Sequence, residues 1–192
     1  MTKPIPLSNV TQAYLEENKR IINKMMQGMT YVTITCSISE NFIKQIIPHQ
    51  IAAIRMSENV LQYTTNIAVQ NFALEVIQTH SEIVESLEAI QNRCCIVQNT
   101  EYELYEYMCT FKEIAETMFQ TLCSPPTSNS ININYLQDMI IHHQAGVRLV
   151  QNVQRFCICQ ELIPILQCMI QTMCCQLEEM KKLLDSLQDC DC

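Results

Sequence analysis

The chain is expected to be all-α: a bundle of six helices built from two three-helix repeats. Three observations carry this. Only two glycines, Gly28 and Gly146, occur in 192 residues, too few for the turns of a β-sandwich. Apolar residues recur every three or four positions over long stretches, the spacing of one helix face. The chain also aligns with itself, without a gap, at an offset of about 93 residues. Tyr14/Tyr107, Lys19/Lys112, Ser37/Ser130, Asn41/Asn134, His49/His142, Arg55/Arg148, Asn59/Asn152 and Thr79/Thr172 are among the identities. The expected unit is a single helical domain over 1–192, with repeats at 1–93 and 94–186 and a short cysteine-bearing tail at 187–192.

The first helix is expected from about Asn9 to Met29 and again from Thr100 to Leu122, where Thr100-x-x-Glu103 reads as a capping box. The second runs from about Ser39 to Tyr63, with Ser37-x-x-Glu40 as its cap, and recurs from Asn132 to Phe156. The third runs from about Ile67 to Arg93 and recurs from Gln160 to Leu187. The clearest break, Ser124 to Ser130 with Pro125 and Pro126, lies inside the second repeat. The join at Cys94 to Asn99 has no proline or glycine, so the halves should pack together rather than hang as two beads. Pro48 falls inside the second helix, where it should kink the axis beside His49 and open the helix seam locally.

Composition narrows the partners. Acidic residues outnumber basic ones 20 to 12, for a net charge of −8. Nucleic acid and anionic membranes call for the opposite sign. No apolar run reaches the length of a membrane span. The opening MTKPIPLSNV lacks the apolar core of a signal peptide, so the expected location is the cytoplasm. There the cysteines would be thiols. A homo-oligomer is compatible with the sequence. Two distant glycines exclude a phosphate loop or dinucleotide fingerprint. No nucleophile–base pair or carboxylate dyad stands at a recognisable spacing, and Asp138 is the only acid beside the histidines, so the chain is not expected to be an enzyme.

Histidine and methionine sit where only apolar residues are needed. In the second helix Phe42, Ile46, His49, Ala53, Met56 and Val60 form one stripe, and Tyr135, Met139, His142, Gly146, Leu149 and Val153 repeat it. In the third helix the stripe passes through His80, and its copy through Met169, Met173 and Met180. Imidazole and thioether both donate lone pairs to soft metal ions. Met139 stands one turn from His142 and His143. His49 and Met56 are two turns apart, too far to share an ion unaided. The plainer reading is that such methionines fill the core and such histidines are hydrogen-bonded core residues. The recurrence of His49 at His142 argues against it, as does the desolvation cost of adjacent imidazoles at His142-His143.

The segments IIPHQIAAIRM (46–56) and MIIHHQAGVRL (139–149) resemble domain of unknown function 305, a ferritin-like helical family with a repeated M-I-P-H-H-Q-x-A-I-x-M pattern. Ile77 to Leu87 and Ile170 to Met180 resemble its later I-x-x-Q-x-x-E-I-x-x-M segment. The resemblance implies a bundle of long helices and, from some members, copper handling through histidine and methionine. Carried over by position, the histidine pair falls on His142 and His143, but on His49 and Gln50 in the first half. The motif methionines fall on Met56 and Met180, but on Leu149 and Leu87 in the other copies. A di-iron centre is disfavoured, because no histidine has a glutamate three residues before it.

The 12 cysteines form no C-x-x-C and no i, i+4 pair, so a zinc ribbon or thiolate-lined bundle lacks its signature. Most read as small buried apolar residues. The tail cysteines, Cys190 and Cys192, are expected to be exposed, and the last helix's thiols offer a second soft-metal donor set. The functional expectation is a protein that binds Cu(I) reversibly. Its ligands would be His142, His143 and Met139, then Met173, Met180, His49, Met56 and His80. The alternative is a structural or interaction bundle whose metal site has decayed.

Overall fold

The structure is a computed structural model, and it describes residues 6–124 and 128–189. The described residues form six long helices and no strand. These are α1 (Asn9–Thr30), α2 (Ile38–Leu61), α3 (Ile67–Ile90), α4 (Glu101–Leu122), α5 (Ile131–Val153) and α6 (Leu162–Asp189). A single 3₁₀ turn, Cys94–Ile96, lies between α3 and α4.

Short polar side chains start the helices by accepting backbone N–H groups that have no partner within the helix. Ser8, Ser37, Asn66 and Ser130 cap α1, α2, α3 and α5 in this way. Thr100 and Glu103 close a reciprocal capping box on α4. The second and third helices of each half are shorter at the C-terminus or later at the N-terminus than periodicity suggests. After α2 the chain must leave the helix by Leu61 so that Asn66 can cap α3. After α3 it turns at Cys94, so that Asn99 can tie the join down. Asn99 accepts from Ile38 N (3.0 Å) and donates through Nδ2 to Cys157 O (3.0 Å) and through its backbone N–H to Cys36 O (2.8 Å).

α2 and α5 are the central helices. α2 packs against α1 and α3, α5 packs against α4 and α6, and the halves meet where α2 crosses α5 and α3 meets α6. Equivalent positions make equivalent contacts. Asn59 Nδ2 donates to Tyr14 O (3.1 Å), and Asn152 Nδ2 to Tyr107 O (3.0 Å). Asn41 and Asn134 each donate back to the loop six residues earlier, at 2.9 and 3.0 Å. One continuous apolar core results, in which Tyr14, Tyr107, Tyr135, Phe42 and Phe72 are almost wholly buried.

Two expectations meet a different outcome. α2 continues unbroken through Pro48. The Pro48 ring turns toward α1, and its Cβ lies 2.7 Å from where a Cβ on Gly28 would stand. The missing side chain of Gly28 therefore makes room for the proline, and the seam beside His49 stays closed. The cysteines are mostly outside: Cys36, Cys95, Cys109, Cys123, Cys157, Cys168, Cys174 and Cys175 are exposed, while Cys94 and Cys159 are buried. The exposed ones occupy loops and outer helix faces. Cys190 and Cys192 lie outside the described residues.

Candidate metal centre

All eight residues singled out from sequence are fully buried: His49, His80, His142, His143, Met56, Met139, Met173 and Met180. The helix stripes bring the four histidines into one cluster where α2, α3, α5 and α6 converge.

His49 and His142 stand at its centre. Their rings stack at 3.7 Å between centroids, tilted by 22°. Each ring bonds the other's backbone: His49 Nε2 lies 3.2 Å from His142 O, and His142 Nε2 lies 3.1 Å from His49 O. A carbonyl oxygen only accepts, so both Nε2 atoms carry the proton. Burial penalises the charged form and keeps both rings neutral, so each Nδ1 is a bare lone pair. Both Nδ1 atoms are buried and have no hydrogen-bond partner among the described residues.

His143 differs. Its Nδ1 donates to Met139 O, one turn back, at 2.9 Å. Its Nε2 is then a lone pair, and it meets the Gln176 side-chain amide at 2.9 Å. The same amide end lies 3.2 Å from His80 Nε2, while the other end reaches Thr79 Oγ1 at 3.1 Å. The lone pair on His143 Nε2 would repel an amide oxygen, which turns the NH₂ end toward the rings and the oxygen toward the Thr79 hydroxyl. The His80 and His143 ring centroids are 5.2 Å apart, and those of His142 and His143 5.6 Å at 57°. The adjacent imidazoles of α5 therefore point to different partners rather than to one shared point.

Burial sets the charge state. Desolvation pushes His49 down to about 3 and His143 down to about 4, and it holds His80 and His142 well below the usual imidazole range. Mutual repulsion lowers His49, His80 and His142 further. The titratable groups felt at the cluster are the histidines themselves. All four rings are neutral at pH 7.

Sulfur reaches part of this cluster. At Gly146 of α5 a Cβ would stand 2.7 Å from Met173 Sδ and 2.9 Å from His49 Cε1. Gly146 thus lets a thioether and an imidazole edge crowd the same point. Met56 and Met180 are buried two turns along their helices from His49 and Met173, about 10 Å in axial rise. Among the described residues, no three His, Cys, Asp or Glu side chains are arranged to hold a metal ion. What the site offers is two bare imidazole nitrogens and a thioether.

Sequence reasoning missed Gln176 as a site residue. It is 1% exposed, and the signal was present: a polar side chain within the α6 stripe, where the equivalent position in α3 is Ile83. Gln50, equivalent to His143, is also fully buried, and neither end of its amide has a hydrogen-bond partner. Buried polar atoms without partners, rare in folded proteins, include those of His49, His80, His142 and Gln50.

Among the described residues no helix is long and apolar enough to cross a membrane. No protein-family model matches the chain, and no curated protein matches it. A solved structure of a DUF305 fragment from Deinococcus radiodurans is similar in fold, with a TM-score of 0.56 and 17% sequence identity. The match covers 80% of this chain and 99% of that one. At this identity the likeness is one of helical architecture.

Proposed function

We propose that the protein is a member of the domain of unknown function 305 family and binds Cu(I) reversibly within the bundle, without catalysing a reaction. The observation that carries this reading is the pair of bare, buried Nδ1 lone pairs on His49 and His142. Their Nε2–H groups are held by backbone carbonyls, the arrangement that fixes the tautomer of metal-binding imidazoles. The donor chemistry favours a soft ion. Imidazole and thioether suit Cu(I), whereas among the described residues the carboxylates and thiolates that other metals would call for are not at the cluster. His49, His142 and Met173 would hold the ion. His80, His143 and Gln176 would brace the rings around it. Met139, Met56 and Met180 would line the surrounding core.

The test is an anaerobic Cu(I) titration against a chromophoric chelator, with the exposed cysteines first alkylated. One equivalent should be retained, and the His49→Ala/His142→Ala double variant should bind at least a hundredfold more weakly. Loss of binding after alkylation alone would move the site to the thiols.

A second reading has its own support. The reciprocal His49–His142 backbone bonds and the ring stack join α2 to α5 directly, as a structural bundle would need. In that case alkylated protein should not compete with the chelator at all.

A further inference from the structure

The fold carries a cleft on the outer side of α5, away from the histidine cluster. It has a volume of about 800 Å³ and lies between α1, the end of α4, α5 and α6. Leu15, Ile22, Ile140, Ile141 and Leu184 give it apolar walls, and Asn18 and Asp138 supply polar groups. Both the size and the mix of surfaces suit a small organic ligand.

The other half of the molecule has the same cleft in another form. It measures about 470 Å³, and Met108, Phe111, Lys112, Ala115, Met29 and Gln45 line it. These stand at the positions equivalent to Leu15, Asn18, Lys19, Ile22, Leu122 and Asp138. Here the polar group is neutral and satisfied: Tyr107 Oη donates to Gln45 Oε1 at 2.7 Å, and Gln45 Nε2 reaches Met108 Sδ at 3.7 Å. Phe111 fills the space.

The larger cleft reverses each of these features. Asn18 stands in place of Phe111 and widens it. Asp138 replaces Gln45 and accepts one hydrogen bond, from Asn18 Nδ2 at 2.7 Å. Among the described residues Asp138 forms no ion pair. Among the described residues the fully buried Tyr14 hydroxyl, equivalent to that of Tyr107, has no hydrogen-bond partner, nor does Asn18 Oδ1, whose residue is 2% exposed. The smaller cleft demonstrates that the fold accepts a neutral, fully bonded side chain at this position. A part-buried carboxyl with a single amide donor is costly unless a further donor or cation joins it.

We propose that this cleft binds an amphiphilic primary amine, with the ammonium on Asp138 and Asn18 Oδ1 and the apolar body along Ile22, Ile140 and Ile141. Both polar groups offer acceptors, which match the three N–H donors of an ammonium. Lys19 at the rim is exposed and has its counterpart in Lys112 of the smaller cleft, so it does not set the two apart.

Calorimetric titration of the full chain at pH 8 with hexylammonium, hexanol and hexanoate tests this. Hexylammonium should bind one to one and at least tenfold tighter than hexanol. Asp138→Gln, copying Gln45, should abolish that difference while leaving hexanol binding intact. Asn18→Phe, copying Phe111, should weaken both. The proposal is overturned by the absence of saturable hexylammonium binding, by hexanoate binding more tightly, or by unchanged discrimination in Asp138→Gln. Should that variant fail to fold, Asn18→Phe decides, and unchanged hexylammonium affinity there overturns the proposal as well.

Discussion

Acidification from pH 6.5 to pH 5 is expected to remove about 5 kcal/mol of folding stability. Each of the four histidines holds its proton more weakly in the fold than in the unfolded chain, because desolvation penalises the charged ring. Their contribution is therefore complete above the ordinary imidazole pKa of about 6.5 and is lost as the pH falls below it. Asp138 works the other way: burial raises its pKa to about 7, so the fold gains from it over the same range. Four groups against one leave a net proton uptake on unfolding that climbs from about one at pH 6.5 to about three at pH 5, or from about 2 to about 4 kcal/mol per pH unit. That loss is comparable to the whole stability of many domains, about 5–15 kcal/mol. Urea midpoints measured from pH 8 to pH 5 should fall steeply below pH 6.5. A flat profile would mean that the rings are charged or solvated.

Replacing Gln176 with leucine should cost about 2–5 kcal/mol, because it strips the shared partner from the buried rings of His143 and His80, while Thr79 keeps its bond to Glu75 O, and each buried unsatisfied group costs about 1–3 kcal/mol. Chemical denaturation of the variant reads this directly. Gln176→Glu provides the contrast. A carboxylate can only accept, so it should draw protons onto the two rings and flatten the acid sensitivity. A cost below about 1 kcal/mol for Gln176→Leu would fit an amide that merely fills space.

Much of the architecture was legible in the residues. The spacing of Phe42, Ile46, His49, Ala53 and Met56 places a histidine on a buried face, and the recurrence at His142 places its partner at the same height. Ser37 and the Thr100/Glu103 box mark helix starts because their chemistry is local. The direction of each ring was not legible, because it depends on contacts between helices. His142 and His143 look like one bidentate pair in sequence. Yet one ring crosses to the backbone of α2 and the other reaches Gln176 on α6. Pro48 shows the same limit: its effect depends on Gly28 of a neighbouring helix. The cysteines escaped because burial tendency is an average over many proteins, and outer helix faces tolerate thiols as readily as other small side chains.

Neutral imidazoles with protons fixed on Nε2 leave bare Nδ1 lone pairs at the heart of the bundle. Long-range ¹H–¹⁵N correlation of ¹⁵N-histidine-labelled protein between pH 8 and pH 5.5 tests it most directly. His49 and His142 should appear as neutral Nε2–H tautomers throughout. Rings that titrate near pH 6.5, or a proton found on Nδ1 of His49 or His142, would contradict it.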